Sequence, residues 1–435
     1  MVTRPAGPSA PVPAKPGLEA SIGLGQGIAL YVSAILGAGV LVLPGQAASL
    51  AGPASLIAWA FGCLLGVPLA LTFASLATRY PDAGGVSTYA AAAFGTSAGG
   101  VTGWWYFVAG SVGQTIVPLT GGYYLAAAFD LGQDWSYPIA GAILVTAVVA
   151  NLAGIRTSSR IQVGLALAVA AVLTVASLFA IPHARAGNFT PFAPHGLHGI
   201  GSAVVVLFFA FAGWEAVAHL AEEFHDSGRD LRRATAFTIV VVTVLYLAIA
   251  LAVVSTGTYG DDEIDHYAIG KLLQNAIGVS AGVGAALVAL VISLGTTNAF
   301  VASVSRLGYA LSRDGWLPPS LGRLNRRKAP AGGIGLVGTI GAVGLLLAWV
   351  FGWGTEDIIY IPSTLVIFVY VIGTAAATKL LAGRARVLGA IALVLTAVTL
   401  PFALGHLLVP IAVALVAVGY RALAGWRSRA AAGTG

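Results

Sequence analysis

Residues 31–45 read Tyr-Val-Ser-Ala-Ile-Leu-Gly-Ala-Gly-Val-Leu-Val-Leu-Pro-Gly, in the middle of an apolar stretch running from 22 to 50. A stretch of that length can cross a bilayer whose hydrocarbon core is about 30 Å thick. Yet Gly37-Ala38-Gly39, followed by Pro44-Gly45, sets poor helix formers at its centre. Backbone that leaves the helix at that depth is tolerated only where it lines a cavity or is buried in protein. The stretch therefore reads as a spanning helix broken at mid-depth.

A counterpart lies within 199–224, where Phe208-Phe209-Ala210-Phe211-Ala212-Gly213-Trp214-Glu215 again places glycine beside an ionisable residue. Glycines in membrane helices also serve close packing, and for either stretch alone the two readings weigh about equally. Paired interruptions at matching places in two halves of a chain point instead to a substrate site between inverted repeats.

The composition around these stretches excludes a water-soluble protein. Of the 435 residues, 58% are hydrophobic and 9% charged, and the mean hydropathy is +0.89. Soluble domains carry about 25% charged residues. Twelve spans are expected, near 22–50, 54–78, 97–128, 136–154, 159–181, 199–224, 232–257, 278–310, 332–352, 356–380, 385–404 and 406–425. Residues 1–21, rich in Pro and Ala, read as a disordered cytoplasmic tail, and no cleavable leader is expected.

Threading the chain through these spans with a cytoplasmic N-terminus puts every one of the 22 Lys and Arg residues inside, except Arg185 and Lys271. That asymmetry follows the positive-inside rule and puts both termini in the cytoplasm. It also accounts for the net charge of +6 without a nucleic-acid partner. The loop at 258–277, with Asp261, Asp262, Glu263 and Asp265, falls outside. Cys63 is the single cysteine, so neither an internal disulfide nor a cysteine metal site can form.

The two breaks suit a zwitterion. In the first span the free amides of Gly37, Ala38, Gly39 and Val40 would face a carboxylate. In the sixth, carbonyls at Phe208, Phe209, Phe211 and Ala212 would accept from an ammonium group. Tyr31, Leu36, Trp105, Trp214, Thr296, Thr297 and Asn298 are candidates for the side-chain pocket. Any one aromatic in such a chain more often packs against lipid or a neighbouring helix. As a set, these residues are neutral or apolar, which favours a neutral, apolar amino acid.

Leu36-Gly37-Ala38-Gly39-Val40 with Pro44 resembles the first-span motif of the amino acid–polyamine–organocation transporters. Three further blocks agree with it. They are Arg79-Tyr80-Pro81-Asp82-Ala83-Gly84-Gly85-Val86 with Phe94-Gly95, the run Phe209 to Glu215 with Glu222-Glu223-Phe224, and Ser305-Arg306-Leu307-Gly308-Tyr309-Ala310 through Arg313-Asp314-Gly315. Together they cover the first ten spans in order. Trp214-Glu215-Ala216-Val217-Ala218-His219-Leu220-Ala221 is most similar to the methionine and branched-chain amino-acid exporters.

The resemblance implies an all-α, LeuT-like fold of two inverted five-span repeats, 22–181 and 199–380, with two added spans at 385–425. It also implies alternating access and a plasma (inner) membrane location, as a monomer or homodimer. Proton-coupled uptake members often carry a lysine in the fifth span. Here Ile161 to Ile181 has none, and Val169 stands near that position, which leans toward export or exchange.

Glu215 is the acidic residue expected nearest mid-membrane, a functional candidate by default. With His219 one turn on, it could couple transport to protons; the plainer reading is a hydrogen-bonded structural pair. Enzymatic rivals fail on spacing. His219 and His225 are six apart and share no helix face, and no phosphate loop or nucleophile elbow occurs. No cofactor is expected.

Overall fold

The computed structural model describes residues 24–80, 84–154, 159–216 and 229–432, and among these every regular element is helical. The first apolar stretch forms two helices, α1 (Leu24–Ile35) and α2 (Leu43–Ala51). Pro44 sits in the first turn of α2, where a missing amide costs nothing. Next come α3 (Ser55–Arg79), α4 (Val86–Phe94) and the 33-residue α5 (Thr96–Ala128). They are followed by α6 (Ser136–Leu152), α7 (Ser159–Ala180) and α8 (Gly196–Phe211). After the second break lie α9 (Asp230–Thr256), α10 (Asp262–Ile277) and α11 (Val279–Arg313). The chain continues through α12 (Ala331–Phe351), the short α13 (Thr355–Ile358) and α14 (Tyr360–Leu380). It closes with α15 (Gly383–Ala397), α16 (Leu400–Ala403) and α17 (Leu408–Ala432).

Eight helical runs among the described residues are long and apolar enough to cross a membrane, or nine if Gly383–Ala397 and Leu400–His406, bent by 41°, form one span. Twelve were expected, and the difference has physical causes. The first stretch is divided at its break, so neither half is a full crossing, and α8 ends after 16 residues at the second break. The glycines, threonines and Gln114 of α5 dilute its hydropathy although it is long enough. The acidic loop at 258–277 turns out to be largely helix. Asp261 caps α10 by accepting from the Glu263 amide at 3.1 Å, and three carboxylates occupy its first turn, where the helix dipole favours them.

α5 is the axis of the bundle, packed against α4, α6, α11, α12 and α14. Its glycines let neighbours approach closely. A Cβ on Gly122 would run into the Ser136 carbonyl at the start of α6, and one on Gly103 would lie 2.6 Å from Leu311 of α11. With lipid outside, no hydrophobic force separates buried from exposed apolar faces, so close backbone contact takes over as the cohesive term. The first helix pair flanks this axis, α1 resting on α7 and α9, α2 on α8 and α10. Outward faces are apolar, as on Leu346, Trp349 and Val350 of α12 and Leu415 and Val416 of α17.

Gly122→Ala is expected to destabilise the protein by about 1–3 kcal/mol, the usual range for overpacking, while Gly141→Ala, with open space around its Cβ position, leaves it unchanged. Thermal unfolding of both variants in detergent measures the contrast.

Candidate functional site

The first break does not use a left-handed glycine. Gly37 is extended (φ −74°, ψ 176°) and leads into a 3-10 turn, Ala38–Leu41. Gly39 is needed for space, because a Cβ there would press the Phe209 ring at 2.8 Å, whereas one on Gly37 would meet Thr296 at an ordinary 3.4 Å. Opening a new turn leaves its first amides unpaired. The amides of Ala38 and Gly39 have no partner among the described residues.

At the second break α8 stops at Phe211, Ala212 is extended, and Gly213 takes φ +125°, a conformation that favours glycine. A 3-10 turn, Trp214–Ala216, follows. The carbonyls released here are largely claimed. Phe208 accepts from the Ala212 amide at 2.9 Å and Ala210 from the Tyr246 hydroxyl at 3.0 Å, while the Tyr370 hydroxyl, 2.9 Å from the Phe211 carbonyl, shares its one proton between that carbonyl and Glu215. The Gly213 amide, which would have served Phe209 in a continued helix, donates to Glu215 at 3.1 Å instead. The Phe209 carbonyl is left without a partner among the described residues.

Glu215 is 2% exposed. Its Oε1 accepts from the Tyr106 hydroxyl at 2.6 Å, and its Oε2 from the Tyr370 hydroxyl at 2.5 Å and the Gly213 amide. Three donors from α5, α14 and its own turn thus surround a carboxylate with no basic partner among the described residues. His219, the expected companion, lies outside the described residues.

Between the breaks lies a cavity whose empty space, including the part open to solvent, is about 630 Å³. Gly37, Ala38, Gly39 and Val40 line one side, Phe209 and Ala212 another, with Tyr106 and Gln114 from α5 and Thr296 and Phe300 from α11. Among the described residues that line it there is no Asp, Glu, Lys, Arg or His.

Other expected pocket residues stand apart from this cavity. Phe208 is buried beside Tyr370, at 6.4 Å between rings, and Phe211 packs on Trp59 and Tyr246. Tyr31 donates to the Trp214 carbonyl at 3.1 Å and meets its ring edge-on, while Trp214 lies over Gly66 of α3. Leu36 is buried in the core. Trp105 turns away, its indole donating to Pro410 of α17 at 2.8 Å. Thr297 is fully buried, and Asn298 accepts from Asn151 at 2.7 Å.

Tyr106, Gln114, Phe300, Tyr246 and Tyr370 went unnoticed in the sequence. Tyr106, Gly110, Gly113, Gln114 and Val117 recur on one helical face and all line the cavity. That stripe was the available signal.

Polar and stacking contacts hold α10 to α2, α5 and α13. His266 is stacked on Tyr123 of α5 at 4.0 Å and pairs with Glu356 of α13 at 2.5 Å. Gln46 of α2 donates to Thr355 at 2.5 Å, and Ser49 donates to Asp265. Burial raises the Asp265 carboxyl above the usual aspartate range, opposed by the Ser49 and Gly260 hydrogen bonds.

An amino acid permease family model matches residues 22–422. The chain is 35% identical over 374 residues, 85% of its length and 87% of the relative's, to an uncharacterized amino acid permease, YecA, of Bacillus subtilis (strain 168). It is 30% identical over 382 residues, 86% and 90% of the two lengths, to the L-methionine/branched-chain amino acid exporter YjeH of Escherichia coli (strain K12). A branched-chain amino acid permease, BcaP, of Bacillus subtilis is 28% identical over 347 residues, 72% of each chain.

Tyr106→Phe and Tyr370→Phe each strip a donor from Glu215 and should lower stability by about 1–3 kcal/mol. Combining both with Glu215→Leu removes the stranded carboxylate and should restore part of that loss, the remainder being the Gly213 amide and Phe211 carbonyl left unpaired, as thermal unfolding of the purified variants will show.

Proposed function

The chain belongs to the amino acid permease family, multi-pass membrane transporters, and within it we propose a secondary active transporter of neutral apolar amino acids (methionine, leucine, isoleucine and valine) that exports them by proton antiport. The supporting observation is the cavity: unpaired amides at Ala38 and Gly39, the unpaired Phe209 carbonyl, and no Asp, Glu, Lys, Arg or His among the described residues that line it. Such a site complements the two ends of a zwitterion and offers no counter-charge to a third ionic group. In this reading the amides hold the carboxylate and the carbonyl holds the ammonium group. Glu215 carries the coupling proton and reports it to the cavity through Tyr106, which touches both. The exporter among the relatives supports the direction. Uptake or exchange is the competing reading, supported by the branched-chain permease.

The proposed architecture is twelve spans in the inner membrane with both termini cytoplasmic. Two inverted five-span repeats, 22–181 and 199–380, are followed by spans at 385–425. Spans one, two, six and seven would rock against the rest, and α10 would cover the external mouth.

Inside-out vesicles should accumulate labelled leucine and methionine when the lumen is acidic, and Glu215→Gln should abolish the effect of the gradient. Gradient-independent counterflow would identify an exchanger, and movement of neither amino acid would overturn the substrate class. For sidedness, Asp262→Cys in a Cys63→Ala background should react with an impermeant maleimide on whole cells. Arg326→Cys should react only after the membrane is opened.

A further inference from the structure

The Phe209 ring lies between two glycines that do different work. A Cβ on Gly39 would stand 2.8 Å from the ring, closer than real contacts allow, so the first break needs that glycine to seat the ring. A Cβ on Gly113, on the α5 side, would stand 3.7 Å from the same ring with no other atom within 4 Å. Gly113 thus has room for a side chain that it lacks, and the unfilled space belongs to the cavity wall.

The proposed substrate pose says what fills it. An α-amino acid whose carboxylate and ammonium are fixed at the two breaks has two of its four Cα substituents pinned, with the side chain and a hydrogen left. Its side chain then faces the rest of the lining, where Ala109, Val117, Phe300, Pro362 and Val366 are apolar and Tyr106, Gln114 and Thr296 are polar. Gly110 and Gly113 are the smallest residues there, and a Cβ on Gly110 would already stand 2.5 Å from Val304, which leaves Gly113 as the one of the two with free space.

We propose that Gly113 is the specificity-determining residue that sets how large an apolar side chain the cavity takes, a role resting on the transport function proposed above. A methyl at this position meets Phe209 at ordinary contact distance, so it narrows the cavity without moving the ring. Alanine also favours a helix more than glycine does, so the fold should tolerate it. One methylene in an apolar pocket is worth roughly 10- to 200-fold in discrimination.

The test is counterflow in proteoliposomes with labelled alanine, valine, leucine and methionine. Gly113→Ala should lower leucine and methionine transport about 10-fold relative to alanine, and Gly113→Val should abolish both while alanine still moves. Gly39→Ala, which displaces the ring, should reduce all substrates together. Thermal shifts of each purified variant with the same amino acids give a readout independent of turnover and of reconstitution yield. An unchanged order of preference in a folded Gly113→Ala, or an equal loss for every substrate, would overturn the role of Gly113 and leave the transport assignment standing. A wild-type protein that moves none of the four would overturn both.

Discussion

Inside a bilayer, a peptide group that leaves its helix has no water to turn to, and the way the two breaks meet that condition organises this protein. Tyrosine hydroxyls replace the missing helical donors. Tyr246 of α9 shares its one hydroxyl proton between the Ile35 carbonyl at the end of α1, at 3.1 Å, and the Ala210 carbonyl near the end of α8, at 3.0 Å, tying both breaks to one helix. Tyr370 serves Phe211, Tyr124 serves Leu41 at 2.8 Å, and Tyr31 serves Trp214. The breaks are therefore fixed structures rather than slack loops. The amides of Ala38 and Gly39 and the Phe209 carbonyl are left over, and they belong to residues on the cavity wall.

The same economy of donors governs Glu215. A carboxylate buried in a low-dielectric interior is costly unless hydrogen-bonded. Tyr106, Tyr370 and the Gly213 amide supply those bonds from three elements. They also draw the charge-bearing group behind the wall, so the cavity is neutral although an ionisable residue lies one tyrosine away. Tyr106 connects Glu215 to the cavity, and Tyr370 connects it to the Phe211 carbonyl at the break.

Glycine acts here chiefly through what it omits. Gly39 lacks a side chain so that Phe209 can close on the first break, and Gly62 and Gly66 of α3 make room for Phe211 and Trp214 from the second. On α5, Gly103 and Gly122 admit neighbouring helices. Gly213, at positive φ, is the position in the two breaks where the backbone itself favours the residue.

The sequence by itself determined that this is a polytopic helical membrane protein, because apolar length and scarce charge leave a folded chain no other solvent. It also determined where the helices break, since Gly37-Ala38-Gly39 and Ala212-Gly213 are local weaknesses readable without partners. Only the tertiary structure decided which neighbours matter at those breaks. Trp105 and Tyr106 are adjacent in sequence and equally aromatic, yet the helical twist of about 100° per residue sends one to α17 and the other to the cavity and Glu215. Tyr246 and Tyr370 sit far along the chain in ordinary apolar spans. Their work depends on carbonyls more than thirty residues away, a pairing set by how the helices pack and not by any local pattern.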